Sequence, residues 1–367
     1  MTRSALLEAL TAVSDGLATR KTQAYRVGEE FPMRSRLARF ALLLALPVSL
    51  LASPPDERRF YLEGRYLYDR CGERVVLRGV NKMNVWTDPD GIPSFAEIAK
   101  TGANAVRIVW LTTSPPSEFD ETVSNAVAAH LIPILDMHDA TGDWAKLEQV
   151  VDYWVRPDTV EVIRKHEAYL LVNIANEAGR EVRDDDFVAG YSKAISRMRA
   201  AGIRVPLIVD AAGWGRNVEQ LLRAAPALLE QDRDLVFSWH AWDTSGDQAS
   251  RITANLELAV QKEIPLIVGE FAHAEVGCKG AIPYRHLMAE AQRLGIGWLA
   301  WSWGPGNQDC AAMDMTEDGT FETLRAWGRE VALTDPNGIC RTSRRPRSMI
   351  DGECGRTRRR LVRVCVR

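Results

Sequence analysis

The chain has 367 residues, of which 46% are hydrophobic and 26% are charged, so it fits one large globular domain and is not a disordered chain. It contains 11 Trp, more than Phe or Tyr. Flat indole rings stack on sugar rings, so this excess is consistent with a carbohydrate-binding cleft, and equally with a core that uses Trp as filler.

The net charge of −3 is unevenly distributed along the chain. Residues 341–367 contain ten Arg and two acidic residues, and residues 33–52 add three more Arg. Residues 53–340 therefore carry a net charge of −14. An acidic body suits a neutral substrate and argues against nucleic acid as a partner.

The N-terminal region contains a predicted secretory signal peptide at residues 33–53. Met33–Arg39 is positively charged, and the apolar run from Phe40 to Ala52 is too short to span a bilayer. We expect Met33 to be the true start, which leaves residues 1–32 as a mis-annotated or disordered upstream segment. The alternative is that residues 33–52 form a short membrane anchor.

The first predicted elements are the limbs of a β-hairpin, with Phe60–Asp69 and Arg74–Val80 on either side of a turn at Asp69–Gly72. Short apolar runs then recur at even spacing, as expected of strands that are buried on both faces. Together with Val75–Val80 they make eight predicted strands: Ala105–Trp110, Ile132–Met137, Tyr169–Ile174, Pro206–Val209, Leu235–Ser238, Pro265–Val268 and Gly297–Ala300.

Amphipathic stretches between these strands predict helices, for example at Asp185–Ala201, Val218–Leu229, Ala249–Lys262 and Ile282–Leu294. Eight strands alternating with helices predict an α/β fold, a (β/α)₈ TIM barrel over residues 56–335 with a short N-terminal β-hairpin. A doubly wound sheet is less consistent with the sequence, because no Gly-rich phosphate turn follows the first strand. Residues 336–367 are predicted to be a basic, disordered tail whose deletion from residue 341 leaves activity unchanged.

Polar or aromatic residues follow nearly every predicted strand, which is where barrel enzymes carry their function. Two of them, Glu177 and Glu270, follow the fourth and seventh strands and should face each other across the barrel mouth. Two facing carboxyl groups are what glycoside hydrolysis requires. A single Glu at a strand end is more often an ion-pair partner, but the pair, with Arg and His nearby, favours catalysis.

Seven stretches of the sequence, in order, resemble glycoside hydrolase family 5, and in particular its bacterial endo-β-1,4-mannanases. The resemblance runs from Phe60 to Val331. The stretches are Arg78-Gly-Val-Asn81, Gly102-Ala-Asn-Ala-Val-Arg107, His138-Asp-Ala-Thr-Gly142, Asn173-Ile-Ala-Asn-Glu177, Asp210-Ala-Ala-Gly-Trp-Gly215, Val268-Gly-Glu-Phe271 and Gly297-Trp-Leu-Ala-Trp-Ser-Trp303.

The resemblance implies roles for individual side chains. Glu177 would be the general acid/base and Glu270 the nucleophile, with Arg107 holding the nucleophile ionised and Asn176 bonding the sugar 2-hydroxyl. The remaining substrate-binding residues implied are His138, Trp214, His240, Trp242, Trp301 and Trp303. Trp301 and Trp303 point the same way along an extended strand, so either could be the stacking platform.

Trp242 departs from the family pattern, which usually has Tyr two residues after the histidine that follows the sixth strand. An indole can donate a hydrogen bond but cannot accept one. The substitution puts the pKa of the nucleophile and the rate in doubt, and leaves the reaction class unchanged.

The function expected from these residues is retaining endo-hydrolysis of β-1,4-mannosidic bonds by a monomer that binds neither nucleic acid nor a cofactor. An endo-β-1,4-glucanase on the same barrel is the nearest alternative. An inactive polysaccharide-binding barrel and a cell-surface protein whose basic tail binds anionic polymers are the alternatives from other classes. No metal site is expected, because the six His lack ligand spacing and the Cys form no C-x-x-C motif.

Cysteine usage fits an exported protein in which the six Cys pair. Cys278 and Cys310 follow the last two predicted strands, so their loops should be neighbours on the catalytic face, and we expect them to form a disulfide. The pairing of Cys71, Cys340, Cys354 and Cys365 stays open.

Overall fold

The computed structural model describes residues 59–243, 246–350, 352 and 354. Residues 1–32, the predicted signal peptide at 33–53 and the end of the chain from residue 355 lie outside the described residues. Within the described part of the chain, no helix is both long enough and apolar enough to cross a membrane.

Eight parallel strands close into a barrel, in which each strand pairs with the next along the chain and the last pairs with the first. The predicted TIM barrel is therefore confirmed. Its strands are β4 (Arg78–Lys82), β5 (Ala105–Trp110), β6 (Ile132–Met137), β7 (Leu171–Asn173), β8 (Leu207–Asp210), β9 (Leu235–His240), β10 (Leu266–Glu270) and β11 (Gly297–Ala300).

Helices pack around the barrel because their apolar faces cover the outward-facing side chains of the strands. The helices are α1 (Asn84–Thr87), α2 (Ser94–Lys100), α3 (Pro116–Ala128), α4 (Leu147–Trp154), α5 (Pro157–Lys165), α6 (Asp184–Ala200), α7 (Val218–Gln231), α8 (Gln248–Gln261), α9 (Tyr284–Leu294), α10 (Ala326–Arg329), α11 (Ile339–Thr342) and α12 (Arg347–Ile350). The predicted helix at Ala249–Lys262, for example, is shifted by a single residue from α8.

A small antiparallel sheet closes the base of the barrel, the end at which the strands begin. It consists of β1 (Tyr61–Glu63), β2 (Tyr66–Tyr68) and β3 (Arg74–Val75), so the first limb of the predicted hairpin is itself a hairpin. Asp69 shapes the predicted turn, because its Oδ1 accepts hydrogen bonds from the backbone N–H groups of Cys71 and Glu73. Phe60 and Leu67 pack into one core cluster with inward-facing barrel residues such as Ile134.

The prediction that residues 336–367 form a disordered tail is wrong for residues 336–350, which fold against the base of the barrel. Met349 joins the core cluster at the base, and its carbonyl lies 2.6 Å from Nδ1 of His130. Arg345 donates to the carbonyls of Ala99 and Ala103. Arginine in this segment therefore satisfies backbone acceptors of the barrel, a use that composition alone does not indicate.

Disulfides complete the closure of the base. Cys71 and Cys354 are bonded, with their Cα atoms 5.1 Å apart, and this bond ties the end of the described chain to the N-terminal sheet. Cys340 is also disulfide-bonded, and its partner lies outside the described residues. We call the segment from Ile339 to Cys354 the C-terminal clasp.

Candidate active site

A cleft of about 770 Å³ opens at the carboxyl ends of the barrel strands. Seven of the ten residues predicted to act at the site line it: His138, Asn176, Glu177, Trp214, Trp242, Glu270 and Trp301. Arg107 and His240 are fully buried directly behind the two glutamates. The fold thus brings nine of the ten predicted side chains to one place.

Glu177 and Glu270 approach each other across this cleft. One carboxylate oxygen of each lies within 4.8 Å of the other and of a His240 nitrogen. Retaining glycosidases separate their two carboxyl groups by about 5–5.5 Å, and inverting enzymes by about 6.5–9.5 Å to admit a water. The geometry therefore suits direct attack by a carboxylate better than attack by an intervening water.

Both oxygens of Glu270 accept hydrogen bonds from buried donors. Arg107 donates from Nη1 to Oε1 at 2.6 Å, and the indole of Trp242 donates from Nε1 to Oε2 at 3.1 Å. Burial raises the pKa of Glu270 above its ordinary value, and His240 and Arg107 only partly oppose this increase. Arg107 thus acts in the predicted direction, although burial has the larger effect on the carboxyl group.

Arg107 is the centre of the buried polar network under the cleft. Besides Glu270, its guanidinium bonds the side-chain oxygens of Asn81 and Asn176 at 3.0 and 2.7 Å. Burial lowers the pKa of Arg107, but Asp136, Asp210 and Glu270 raise it by more, so the group stays charged. Its planar fork fixes several site residues at once.

Asp210, which ends β8, has a role that sequence reasoning missed. Its Oδ2 accepts from Arg107 at 3.2 Å and from the backbone N–H of Glu177 at 3.1 Å, and it lies 3.4 Å from Nε2 of His240. Because Asp210 is fully buried, it links the arginine, the histidine and the backbone of the acid. An acidic residue at the end of a buried strand was the available signal.

His240 lies between the two glutamates, with Nδ1 at 2.7 Å from Glu177 Oε1 and 3.4 Å from Glu270 Oε2. Burial lowers the pKa of His240, but Glu270, Asp210 and Glu177 together outweigh it and raise the pKa to about 9. Gly215 permits this placement, because a Cβ there would come within 2.6 Å of the imidazole.

The raised pKa of His240 predicts a pH dependence of stability. The ordinary value is 6.5 and the native value about 9, so the native protein keeps a proton that the unfolded chain releases between these values. The stabilisation is complete below about pH 6.5 and is lost as the pH rises through about 9. We expect urea unfolding to show a steeper fall in the free energy of unfolding over this window for the wild type than for His240→Asn. Parallel curves for the two proteins would rule out this contribution.

Glu177 adopts a left-handed backbone conformation, with φ of 45°, which is costly for a residue other than Gly. Its carbonyl accepts from the N–H of Gly142, and its N–H donates to Asp210, so the surrounding loops hold the strained conformation. Asn176 beside it donates to Thr141 Oγ1 at 2.8 Å and accepts from Arg107, which leaves one amide hydrogen for a ligand.

Aromatic rings form the floor and rim of the cleft. The imidazole of His138 stacks on the indole of Trp301 with 5.7 Å between ring centroids, and Asp136 fixes His138 through a 2.6 Å contact. Trp214 is 37% exposed at the rim. Trp86, which sequence reasoning missed, lines the cleft and is 56% exposed, and the signal for it was a Trp soon after the first barrel strand.

The prediction that Trp303 is a substrate-binding residue is wrong. Its side chain is fully buried, and its indole donates to the carbonyl of Gly319 at 2.8 Å. The strand β11 ends at Ala300, so the alternation of a strand does not carry on to Trp303. Trp301 faces the cleft, and its indole donates to Asn307 at 2.8 Å.

The predicted disulfide between Cys278 and Cys310 is present, with 5.2 Å between the two Cα atoms. Cys310 lines the cleft together with Val276 and Gly277, so the bond joins the two loops that form this wall.

Glu177, His240 and Glu270 are the group of acidic and histidine residues, among those the structure describes, whose spacing could suit a metal ion. Their ligand atoms are already engaged by each other and by the charged Arg107, which would repel a cation at Glu270. These contacts disfavour a metal ion at this position, and that the protein uses no metal remains a prediction from the sequence.

An eight-stranded α/β barrel with two facing, buried glutamates at the carboxyl ends of its strands defines a glycoside hydrolase. Residues 68–307 match the sequence profile of the cellulase family, glycosyl hydrolase family 5. The chain belongs to this family, as its sequence resemblance predicts.

Individual relatives are similar over most of the chain. A mannan endo-1,4-β-mannosidase of Cellvibrio japonicus is 32% identical over 81% of this chain and 70% of its own length. One of Streptomyces lividans is 35% identical over 74% of this chain and 73% of its own length. The mannotriose complex of the Thermomonospora fusca β-mannanase is 30% identical with a TM-score of 0.72, over 79% of this chain and 99% of that chain.

Proposed function

We propose that this protein is a retaining endo-β-1,4-mannanase that hydrolyses mannan-type polysaccharides. Carboxylate oxygens of Glu177 and Glu270 lie within 4.8 Å of each other, and this short distance supports a retaining mechanism by double displacement. The substrate is supported by relatives whose names state that they act on mannan.

In the first step, Glu270 attacks the anomeric carbon while Glu177 gives its proton to the departing glycosidic oxygen. The covalent glycosyl-enzyme forms and the chain beyond the broken bond leaves. His240 holds Oε1 of Glu177, so Oε2 is the oxygen free to carry the proton towards the sugar. Arg107 and Trp242 fix Glu270 for attack and stabilise its charge while it is free.

In the second step, Glu177 removes a proton from water, and the water oxygen replaces Glu270 at the anomeric carbon. The product keeps its configuration because two displacements occur on opposite faces. We assign the remaining amide hydrogen of Asn176 to the sugar 2-hydroxyl. The stacked rings of Trp301 and His138 provide the platform for the sugar that reacts.

The cleft is suited to attack within a long chain. Trp86 follows β4 and Trp214 follows β8, and these strands are four apart in the ring of eight, on opposite sides of the barrel mouth. A linear polymer that crosses the mouth can therefore stack on an exposed indole on each side of the catalytic centre.

The substrate assignment is tested with the purified protein on linear mannan and on carboxymethyl cellulose. We expect reducing sugar to appear mainly from mannan, with a rapid fall in viscosity because bonds break inside the chain. Faster release from carboxymethyl cellulose would instead identify a glucanase. Binding of either polymer without release of reducing sugar would identify an inactive barrel.

Trp242 offers a specific test of how the nucleophile is tuned. Trp242→Phe removes the donor to Glu270 Oε2, so the pKa of Glu270 should rise and the acidic limb of kcat/KM should move to higher pH. We expect kcat/KM to fall about tenfold, in line with the loss of one hydrogen bond to a charged group. Trp242→Tyr supplies a phenolic donor and should retain the wild-type limb. An equal shift of the acidic limb in Trp242→Phe and Trp242→Tyr would show that the effect comes from lost packing.

We also propose that the protein is exported through the signal peptide at residues 33–53. The disulfides of the described chain support this, because such bonds persist in oxidising compartments. N-terminal sequencing of protein from the culture medium should find cleavage near Ala52. Recovery of residues 1–32 in that protein would contradict both the signal peptide and the start at Met33.

A further inference from the structure

The base of the barrel, opposite the cleft, has an unbalanced positive charge. Residues 59–75 and 336–354, which include the N-terminal sheet and the C-terminal clasp, contain eight Arg and five acidic residues, a net charge of +3. Residues 76–335, which form most of the barrel and its cleft, carry a net charge of −14. The molecule therefore has a basic base and an acidic remainder.

Most of these base arginines are not neutralised by neighbours. Arg59 pairs with Asp234, and Arg347 pairs with Glu73. The other six arginines form no ion pair with any residue that the structure describes. Arg345 among them donates to backbone carbonyls of the barrel, and we call the remaining five the basic surface: Arg65, Arg70, Arg74, Arg341 and Arg344.

Two of these arginines are held by contacts that leave their charge available. The guanidinium groups of Arg65 and Arg74 lie 4.4 and 3.8 Å from the centre of the Tyr66 ring. Such stacking holds a guanidinium without neutralising it. Arg74, Arg341 and Arg344 are exposed.

The end of the sequence is also rich in Arg. Cys354 is bonded to Cys71 in the N-terminal sheet, so the described chain ends at the base of the barrel. In the sequence, residues 355–367 contain six further Arg and no acidic residue. No part of the proposed hydrolytic mechanism uses this charge.

We propose that the basic surface binds a carboxylate-bearing polysaccharide, so that the enzyme is held on an acidic polymer while its cleft faces away. The planar guanidinium fork matches the two oxygens of a carboxylate, and several such groups on one surface suit a repeating polyanion. The choice of a polysaccharide rests on the proposed function, since an enzyme that digests one matrix polymer gains from attachment to another beside it.

The test measures binding and hydrolysis separately. Polygalacturonate embedded in a native gel should retard the wild-type protein. The variant Arg74→Ser, Arg341→Ser, Arg344→Ser should bind at least about tenfold more weakly, because fewer counterions are released on binding. Wild-type binding should also weaken steeply with added salt. Hydrolysis of soluble mannan should be unchanged in the variant, so failure of the mannan assignment would appear only in that second assay.

A matched control removes the same charge from the flanks of the barrel. Arg183→Ser, Arg223→Ser, Arg285→Ser takes away three exposed arginines remote from the base, and it should bind polygalacturonate like the wild type. If the first variant fails to fold, Arg341→Ser, Arg344→Ser serves in its place. Equal binding by base and flank variants would overturn the proposal. Tighter binding to DNA or to anionic phospholipid vesicles than to polygalacturonate would overturn the choice of partner.

Discussion

Glu270→Ala is expected to reduce kcat by roughly 10⁴-fold or more on every substrate, because no covalent intermediate can form without this carboxylate. Glu177→Ala should lose roughly 10²–10⁴-fold on mannan, where the leaving oxygen needs a proton. The same variant should retain most of its first-step rate on aryl mannosides whose phenolate leaves unaided. Steady-state kinetics on both substrate types measure the contrast.

Azide provides an internal control for these two assignments. With Glu270→Ala, azide can attack the anomeric carbon directly in a single displacement, so the glycosyl azide should have inverted configuration. With Glu177→Ala, azide attacks the intermediate formed on Glu270, and the azide product should keep the original configuration. Equal losses of Glu177→Ala on polymer and aryl substrate would refute its role as the acid. The opposite stereochemistry of the two azide products would exchange the roles of Glu177 and Glu270.

Deletion of residues 341–367 is expected to destabilise the protein strongly, contrary to what the sequence alone suggested. Arg78 is fully buried, and burial lowers its pKa to about 9. Its guanidinium donates a hydrogen bond to Thr342 Oγ1 in the clasp, which the deletion would remove. A hydrogen bond to a charged group contributes about 1.5–3 kcal/mol, and the lost Cys71–Cys354 bond about 2–5 kcal/mol. Since domains are stable by only about 5–15 kcal/mol, the deletion should remove a large fraction of the stability.

Urea unfolding and the protease resistance of the folded protein measure this loss. Arg341→Ser is the matched control, because its side chain is exposed and forms no ion pair with the described residues. It should unfold at the wild-type urea concentration. A deletion variant as stable as the wild type would show that the clasp contributes nothing to the barrel.

The barrel could be predicted from the sequence because its strands are buried on both faces and read as short apolar runs. Ala105–Trp110 and Ile132–Met137 are found at their predicted bounds. The clasp could not be predicted, because its four Arg within twelve residues have the composition of a tail. Arg345, for example, bonds the carbonyl groups of Ala99 and Ala103, which carry no sequence signal.

The site was predictable where a functional group lies at the end of a strand, as Glu270 and His240 do. The prediction for Trp303 failed because the regular strand ends before this residue. The alternation of side chains along a strand does not predict the direction of a side chain beyond the strand's end. Asp210 was passed over because its importance lies in three simultaneous contacts, with Arg107, His240 and the backbone of Glu177. Contacts of that kind exist only once the barrel has closed.

The clasp has a consequence for the order in which the chain folds. Arg78 begins the first barrel strand, but Thr342 follows it by 264 residues, and the Cys71–Cys354 bond spans 283. During synthesis, the first strand therefore leaves the ribosome long before its partners exist. Contacts so distant in sequence carry a high cost in loop closure, and they form late. The base of this barrel is completed only after Cys354 has been synthesised, which leaves its apolar lining exposed in every shorter nascent chain.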